Sequence, residues 1–393
     1  MSNLVQLAPR PPEPAPQQGR HRRSPRRAVA LVAVALVLLA LTPVAASVRT
    51  ALTAPGQAST SMRLVEWMRD HGGGPVVNLV ENWWYARNAP QGAAPDPAML
   101  PAIAAGATAA AGSGSEPPLL RSAVSPPLPG EATWHGAAGR PGVDTVDTGY
   151  FRPLLQAPSV IVGTAWIDQS RTRTQLLAGT RDPQPPVGVK SVDGRGAKVP
   201  GSDRARLLAT FNSGFRMKDS QGGYFANGQE IAPLRDGAAS LVVDAAGRVD
   251  IGAWGRDLRL GPSTAAVRQN LDLIVEQGAA VPGLDSASNA WGTSKNQFQY
   301  TWRSGLGVDR NGNLVYVAAD RITLADLASS LAAAGAVRGM QLDIHPQLVT
   351  FMTYRPDQAV GAGNGTRLLP AMIPPTNRYL VVSQRDFLAV TSR

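Results

Sequence analysis

Four short segments carry polar side chains in or beside glycine-bearing turns. They are Phe211-Asn212-Ser213-Gly214-Phe215 (followed by Gly222-Gly223-Tyr224 and Asn227-Gly228), Leu234-Arg235-Asp236-Gly237, Trp302-Arg303-Ser304-Gly305-Leu306-Gly307-Val308-Asp309, and Gln341-Leu342-Asp343-Ile344-His345-Pro346. The last says most from first principles. Residues two apart in a strand face the same side, so Gln341, Asp343 and His345 are expected to project together, with Leu342 and Ile344 turned into the core. A carboxylate beside an imidazole fixes the histidine tautomer and raises its basicity, as general acid–base work requires. The same residues equally suit a structural Asp343 that bonds His345 or a backbone amide. Arg303 and Arg235 each offer a guanidinium fork that matches a phosphate or carboxylate, and each also suits a surface ion pair. Asn212 fits turn chemistry, and Asp309 fits a cap on the turn after it. Trp166, Trp254, Trp291 and Trp302 are candidates for a sugar-stacking face or for core.

Other chemistries lack their residues. The sequence has no P-loop, no paired zinc histidines and no nucleophile elbow. It has no cysteine, hence no disulfide and no thiolate metal site. Backbone and Asp oxygens leave calcium open, but no dedicated acidic loop is present; no metal site and no cofactor is expected.

Elements must position these residues. Residues 1–27 form a basic tail with Arg10, Arg20, Arg22, Arg23, Arg26 and Arg27 against the single acid Glu13. Ala28 to Val48 then runs without a charge. As a helix it would reach about 31 Å, enough to cross a hydrocarbon core. The arginine flank places the tail in the cytoplasm and everything after Arg49 outside, as a single-pass protein of the cell membrane. A cleaved signal peptide, with Val44-Ala45-Ala46 as its small-residue site, is the alternative. The formal charge is +10, half of it in the tail and the rest scattered without a stripe of interleaved aromatics, so nucleic acid is not an expected partner.

Residues 49–87 form a juxtamembrane helical segment. Ser59 or Thr60 caps a helix with Leu64, Val65 and Met68 on one face, and Gly72-Gly73-Gly74 stops it. Trp83-Trp84-Tyr85 follows; its aromatics suit the membrane interface or docking on the main domain, and docking is expected because at least 30 residues separate them from the apolar run. Residues 88–142 are rich in Ala, Pro and Gly and read as a linker. The folded domain is expected over 143–393. Strands are predicted at Ser159 to Asp168, Arg206 to Phe211, Ser240 to Asp244, up to Trp254, Ser304 to Asp309, Leu314 to Ala319, Gly339 to Ile344, Leu348 to Tyr354 and Tyr379 to Val382. Asn311-Gly312 signals a hairpin. Helices are predicted from Ser263 to Gly278, with Val267, Leu271, Ile274 and Val275 on one face, and from the box-like Thr323/Asp326 start to Gly335. The pattern is α+β: a strand-rich mixed-sheet domain with a few packed helices, preceded by one transmembrane helix and a linker.

Taken in order, the four segments resemble the phosphodiester glycosidase family over roughly Tyr150 to Val390. Arg303 to Asp309 is similar to the family's Arg-Thr/Ser-Ala-Ile/Val-Gly motif. Asn212 to Phe215 is similar to its Asn-Gly-Gly-Phe turn, with Ser213 replacing a glycine. Asp343 falls within the family's Leu-Asp-Gly-Gly-Gly-Ser, where Ile344-His345-Pro346 replaces the glycines by a stiffer segment. The sequence resembles more nearly a group of actinobacterial membrane-anchored proteins with a segment like Leu64-Val65-Glu66-Trp67 and a Leu-Asp-Ile-Asn-Pro strand end. The resemblance implies hydrolysis of sugar-1-phosphodiesters in cell-envelope or exopolysaccharide material. Asp343 and His345 would be catalytic, Arg303 and Arg235 would hold phosphate, and Asn212 and Asp309 would orient hydroxyls. The substituted glycines also suit a non-catalytic module that binds or organises envelope glycan.

Overall fold

The computed structural model describes residues 25–54, 56–90, 92–101, 116–140, 143–184, 191–292, 296–355, 360–361 and 363–393. The chain divides into two units, Met1–Thr53 and Ala54–Arg393. In the first, helix α1 (Pro25–Thr53) contains a stretch, Val29–Thr53, that is long and apolar enough to cross a membrane. It continues past Val48, and the hydroxyls of Thr50 and Thr53 donate back to the carbonyls of Ala46 and Arg49, at 3.0 and 2.9 Å. Of the basic tail, residues 1–24 lie outside the described residues.

The second unit opens with α2 (Thr60–Asp70) and α3 (Gly74–Ala86). Ser59 caps α2 by accepting from the Met62 amide. Gly72 (φ 85°) ends it, and Pro75 opens α3. Among the described residues eighteen strands follow. They are β1 (His135–Arg140), β2 (Val143–Phe151), β3 (Val162–Ile167), β4 (Thr172–Leu177), β5 (Leu207–Asn212), then helix α4 (Met217–Ser220), β6 (Tyr224–Ala226), β7 (Gln229–Ala232), β8 (Ala239–Asp244) and β9 (Val249–Ala253). Next come β10 (Thr264–Gln269), β11 (Leu273–Glu276), β12 (Ala279–Ala280), β13 (Thr301–Val308) and β14 (Leu314–Ile322). Helix α5 (Leu324–Ala333) precedes β15 (Arg338–Ile344), β16 (Phe351–Thr353), β17 (Thr366–Arg367) and β18 (Phe387–Ser392).

Among the described residues these form three sheets: β1-β2-β3-β14-β13-β15-β11-β12, β7-β6-β10-β8-β9, and β17-β16-β5-β18-β4. The architecture is α+β and strand-rich. Every strand pairing among the described residues is antiparallel rather than mixed. The α5 crossover from β14 to β15 leaves β13 between them, so neighbours still alternate in direction.

The central strands are covered on both faces. Leu324, Leu327 and Leu331 of α5 pack with Val315, Val317, Ile274 and Val275. On the opposite face Leu306, Tyr316 and Ala318 meet Phe211, Phe351, Leu241 and Val390 from the other two sheets. The motif glycines serve this packing: a Cβ on Gly307 would sit 2.5 Å from Ala336 Cβ, and one on Gly339 2.5 Å from Leu331. The predicted capping box at Thr323 and Asp326 is present, and Gly312 (φ 78°) turns the β13–β14 hairpin.

Some expectations are overturned. The helix expected from Ser263 to Gly278 is two strands, β10 and β11. Both are buried on both faces, so their apolar spacing lacks the period of two and imitates a helical one. The strand expected at Tyr379 to Val382 is absent, and residues 376–380 form a turn; the last strand is β18, between β5 and β4, where Phe387 stacks on Tyr379 at 4.3 Å. Ordered packing starts inside the Ala/Pro/Gly-rich segment. β1 pairs with β2, and Glu131 forms a buried ion pair with Arg152 at 2.9 Å. The small residues there fit a close crossing, since a Cβ on Gly139 would meet the Val143 carbonyl oxygen at 2.0 Å.

Candidate active site

Asp343 stands one residue before the end of β15, beside a bulge. Arg303 of β13 pairs with Ile344 and Gly305 with Gln341, so two steps on one strand oppose three on the other. The bulge breaks the expected alternation: Leu342 enters the core beneath the other sheets, whereas Ile344 enters the one beneath α5. It also sets the Asp343 backbone against the turn at residues 212–215. The Asp343 amide donates to the Ser213 carbonyl at 3.0 Å, and Ser304 Oγ donates to the Asp343 carbonyl at 2.8 Å. The first, third and fourth motifs are thereby joined.

Side chains from elsewhere converge on Asp343. Arg385, from the loop before β18, places Nη2 2.8 Å from Asp343 Oδ2 and 3.1 Å from the Gly214 carbonyl oxygen. Its Nε lies 3.5 Å from Asp182, and its Nη1 lies 3.8 Å from Glu66 of α2. Arg268 pairs with Asp386 at 2.8 Å and approaches Asp182 at 4.0 Å. Burial pushes the Asp343 carboxyl up to about 6, with Arg385 acting against it. Burial also raises Asp182. Against burial, the surrounding carboxylates, Asp343 foremost, hold Arg385 firmly protonated.

His345 has φ 78°, the left-handed conformation natural to glycine, and it precedes Pro346. That strain places the ring at the site's edge rather than in line with Gln341 and Asp343. Its Nδ1 lies 3.2 Å from Thr301 Oγ1 and its Nε2 3.7 Å from Glu81, while Tyr85 stacks on it at 5.2 Å. Burial, assisted by Arg69 and Arg303, pushes the imidazole down to about 3, so it is neutral at physiological pH.

These groups line a cavity of about 520 Å³ between the strand ends and the α2–α3 hairpin. The hairpin contributes Glu66, Arg69, Asn78, Glu81 and Tyr85; the strand side contributes Asp343, His345, Arg385, Arg216 and Lys218. Arg69 and Glu81 pair at 2.5 Å. Asp70, at the end of α2, anchors the hairpin on three cations: Arg181 at 3.2 Å, Arg216 at 3.1 Å, and Lys218.

Asp343 and His345 therefore meet in one cavity, but the other four sequence candidates do not line it. Arg303 is fully buried behind the wall. Its Nε donates to the Ile322 carbonyl at 2.9 Å, its Nη2 to those of Asn296 and Gln299, and burial lowers its pKa to about 9. Arg235 is exposed and holds Gln269 through its backbone. Asn212 is saturated: its Nδ2 donates to the Ser213 carbonyl and Ser304 Oγ, and its Oδ1 faces the Thr350 amide and Tyr316 hydroxyl. Asp309 caps the hairpin at the far end of β13, where it accepts from Asn311, Asn313 and Trp166. Trp166, Trp254, Trp291 and Trp302 are buried and offer no stacking face.

Arg385, Arg268, Asp182, Glu66 and Glu81 escaped the sequence reading. Two signals pointed to some of them. Arg385-Asp386 stands directly before an apolar strand, and Glu66 lies in the shared Leu64-Val65-Glu66-Trp67 segment.

Residues 205–343 match the family model described as phosphodiester glycosidase. A comparison with curated proteins gives no match. Among solved structures, the zebrafish N-acetylglucosamine-1-phosphodiester alpha-N-acetylglucosaminidase catalytic domain, auto-inhibited by pro-peptide, is similar at 14% identity and TM-score 0.41, covering 66% of this chain and 88% of that one. A hypothetical protein from Synechocystis is similar at 15% identity and TM-score 0.35, covering 63% and 62%.

Proposed function

We propose that the phosphodiester glycosidase resemblance of residues 205–343 extends to chemistry, and that this protein hydrolyses sugar-1-phosphodiesters at the anomeric carbon. The observation that carries this reading is Asp343, a buried carboxylate at a cavity that also exposes cations. Phosphate is a good leaving group, so cleavage of its bond to the anomeric carbon needs less protonation than ordinary glycoside hydrolysis. The demands are an anion clamp, a carboxylate facing the developing oxocarbenium charge, and a base for water.

In this reading Asp343 supplies the carboxylate and the base. Its raised pKa keeps it basic enough to accept a proton from water near neutral pH. Arg385, with Arg216 and Lys218 nearer the mouth, takes the phosphate role first assigned to Arg303 and Arg235, because these three line the cavity. Neutral His345 orients substrate by hydrogen bonding, held by Thr301 and Tyr85. Arg303 supports the wall at Asn296 and Gln299. Asn212 and Asp309 act as scaffold in the turns they hold.

We place the domain outside the cytoplasm on a single-pass anchor, from the arginines before α1. The substrate would then be a phosphorylated glycan of the envelope or of exopolysaccharide. One observation favours non-catalytic glycan binding instead: the Asp343 carboxylate is already engaged by Arg385. Incubation of the protein with an α-linked sugar-1-phosphodiester and the matching simple glycoside separates the two readings. Release of sugar from the phosphodiester alone supports hydrolysis; retention of both substrates intact while the glycan stays bound supports the binding module.

A further inference from the structure

Helix α3 is amphipathic in the inverse sense. Asn78, Glu81 and Tyr85 line the cavity, whereas Val76, Leu79, Val80 and Trp83, spaced i, i+3, i+4 and i+7, are 55–70% exposed. Trp84 is also exposed, and the Arg87 guanidinium lies 4.4 Å over the Trp83 ring. A stripe with this spacing normally faces a core; here the inward side carries Val77 beside the polar cavity residues, and the larger apolar stripe faces out. Such contiguous apolar surface calls for a cover.

Two observations say what the cover is. Only residues 54–59, α2 and a short turn separate α3 from α1, the helix long and apolar enough to cross a membrane. Six extended residues reach at most about 20 Å, and α2 with its turn adds roughly 25 Å, so the connection keeps the stripe within roughly 45 Å of any bilayer that α1 enters. The composition also fits lipid: aliphatic side chains, two tryptophans and a terminal arginine, with the helix's sole acid, Glu81, turned to the cavity and paired with Arg69. Resting on the reading of α1 as a membrane anchor, we propose that α3 docks through Val76, Leu79, Val80 and Trp83 on the surface of that bilayer. The cavity lined by its other face then lies about one helix diameter, roughly 10 Å, from the lipid, within reach of membrane-borne sugar phosphodiesters.

The absence of cysteine makes single-cysteine labelling clean. The full chain carrying Leu79→Cys, Leu155→Cys or Leu38→Cys is labelled with an environment-sensitive fluorophore and reconstituted in phosphatidylcholine–phosphatidylglycerol vesicles containing nitroxide lipids. Leu155 is 70% exposed and serves as the aqueous control. At Leu79 the expected result is blue-shifted emission, quenched at least about twofold by a nitroxide near the headgroup, with Leu155 unquenched. Emission at Leu79 like that at Leu155 overturns the proposal. So does a blue shift without lipid quenching, which would mean that a second copy covers the stripe. The Leu38 probe reports separately on the anchor: an unquenched signal there removes the anchor reading, while Leu79 alone decides docking.

Discussion

Arg385 Nη2 stands 2.8 Å from Asp343 Oδ2, and the same nitrogen reaches the Gly214 carbonyl oxygen at 3.1 Å. The guanidinium thus ties the end of β15 to the turn after β5. It also fixes the orientation of the carboxylate on which the proposed chemistry depends. Asp182 and Glu66 flank the pair, so the arginine stays compensated if the Asp343 charge is lost.

Asp343→Asn keeps the shape and removes the base. Its expected effect is a fall in kcat of about 10²- to 10⁴-fold on a sugar-1-phosphodiester. KM should move little, because the cations remain. Steady-state kinetics check this, with circular dichroism confirming the fold.

The pH dependence follows from the same group. Asp343 is pushed up to about 6 and His345 down to about 3, so activity should rise through one limb near pH 6 with no histidine limb between pH 6 and 8. For stability, the folded-state pKa of Asp343 lies above its unfolded value. Its contribution is therefore fully present below the unfolded value and lost as pH rises through about 6. Stability of the wild type relative to Asp343→Asn should accordingly decline between pH 5 and 7 by about 1 kcal/mol, the upper part of a loss of roughly 3 kcal/mol that begins near the unfolded value. Denaturant titrations at both pH values measure it.

Arg303→Met tests whether that arginine is wall or clamp. The buried carbonyls of Ile322, Asn296 and Gln299 would lose their donor. The expected cost is about 3 kcal/mol of stability, with KM for the phosphodiester nearly unchanged at a temperature where the variant is folded. A tenfold rise in KM without loss of stability would place Arg303 on the phosphate.

Asp70→Asn should loosen the α2–α3 hairpin. Burial opposes ionisation of Asp70, but Lys218, Arg216 and Arg181 hold its carboxyl below the usual range. A depressed folded pKa contributes stability above the unfolded value, and that contribution is lost as pH falls through the folded one. Amide exchange over residues 60–86 should therefore quicken several-fold at pH 7. The difference from wild type should shrink below about pH 4.

Local signals carried much of the fold. Asn311-Gly312 and the Thr323/Asp326 box concern a few neighbouring residues, and both appear in the structure as read. The apolar run before Arg49 likewise forms a helix. Residues 263–278 misled because strands buried on both faces lose their alternation. The mistake also hid Arg268, whose position on β10 brings it to Asp386. At the site, Asp343 and His345 were legible as a local pair, though the β15 bulge and the left-handed His345 backbone separate them from a simple strand register. Arg385 was not legible, since its pairing with Asp343 spans 42 positions of sequence and arises only when β18 inserts beside β5. Glu66 and Glu81 lay in the segment read as juxtamembrane helices, and only the hairpin's return over the strand ends brings them to the cavity.

The central claim is cleavage between the anomeric carbon and the phosphodiester oxygen, with Asp343 activating water. The most direct measurement is hydrolysis of an α-linked sugar-1-phosphodiester in ¹⁸O-water by the full chain and by Asp343→Asn, with both products analysed by mass spectrometry. The account predicts ¹⁸O in the released sugar, none in the phosphomonoester, and little release by the variant. Label in the phosphate, or undiminished release by Asp343→Asn, would contradict it.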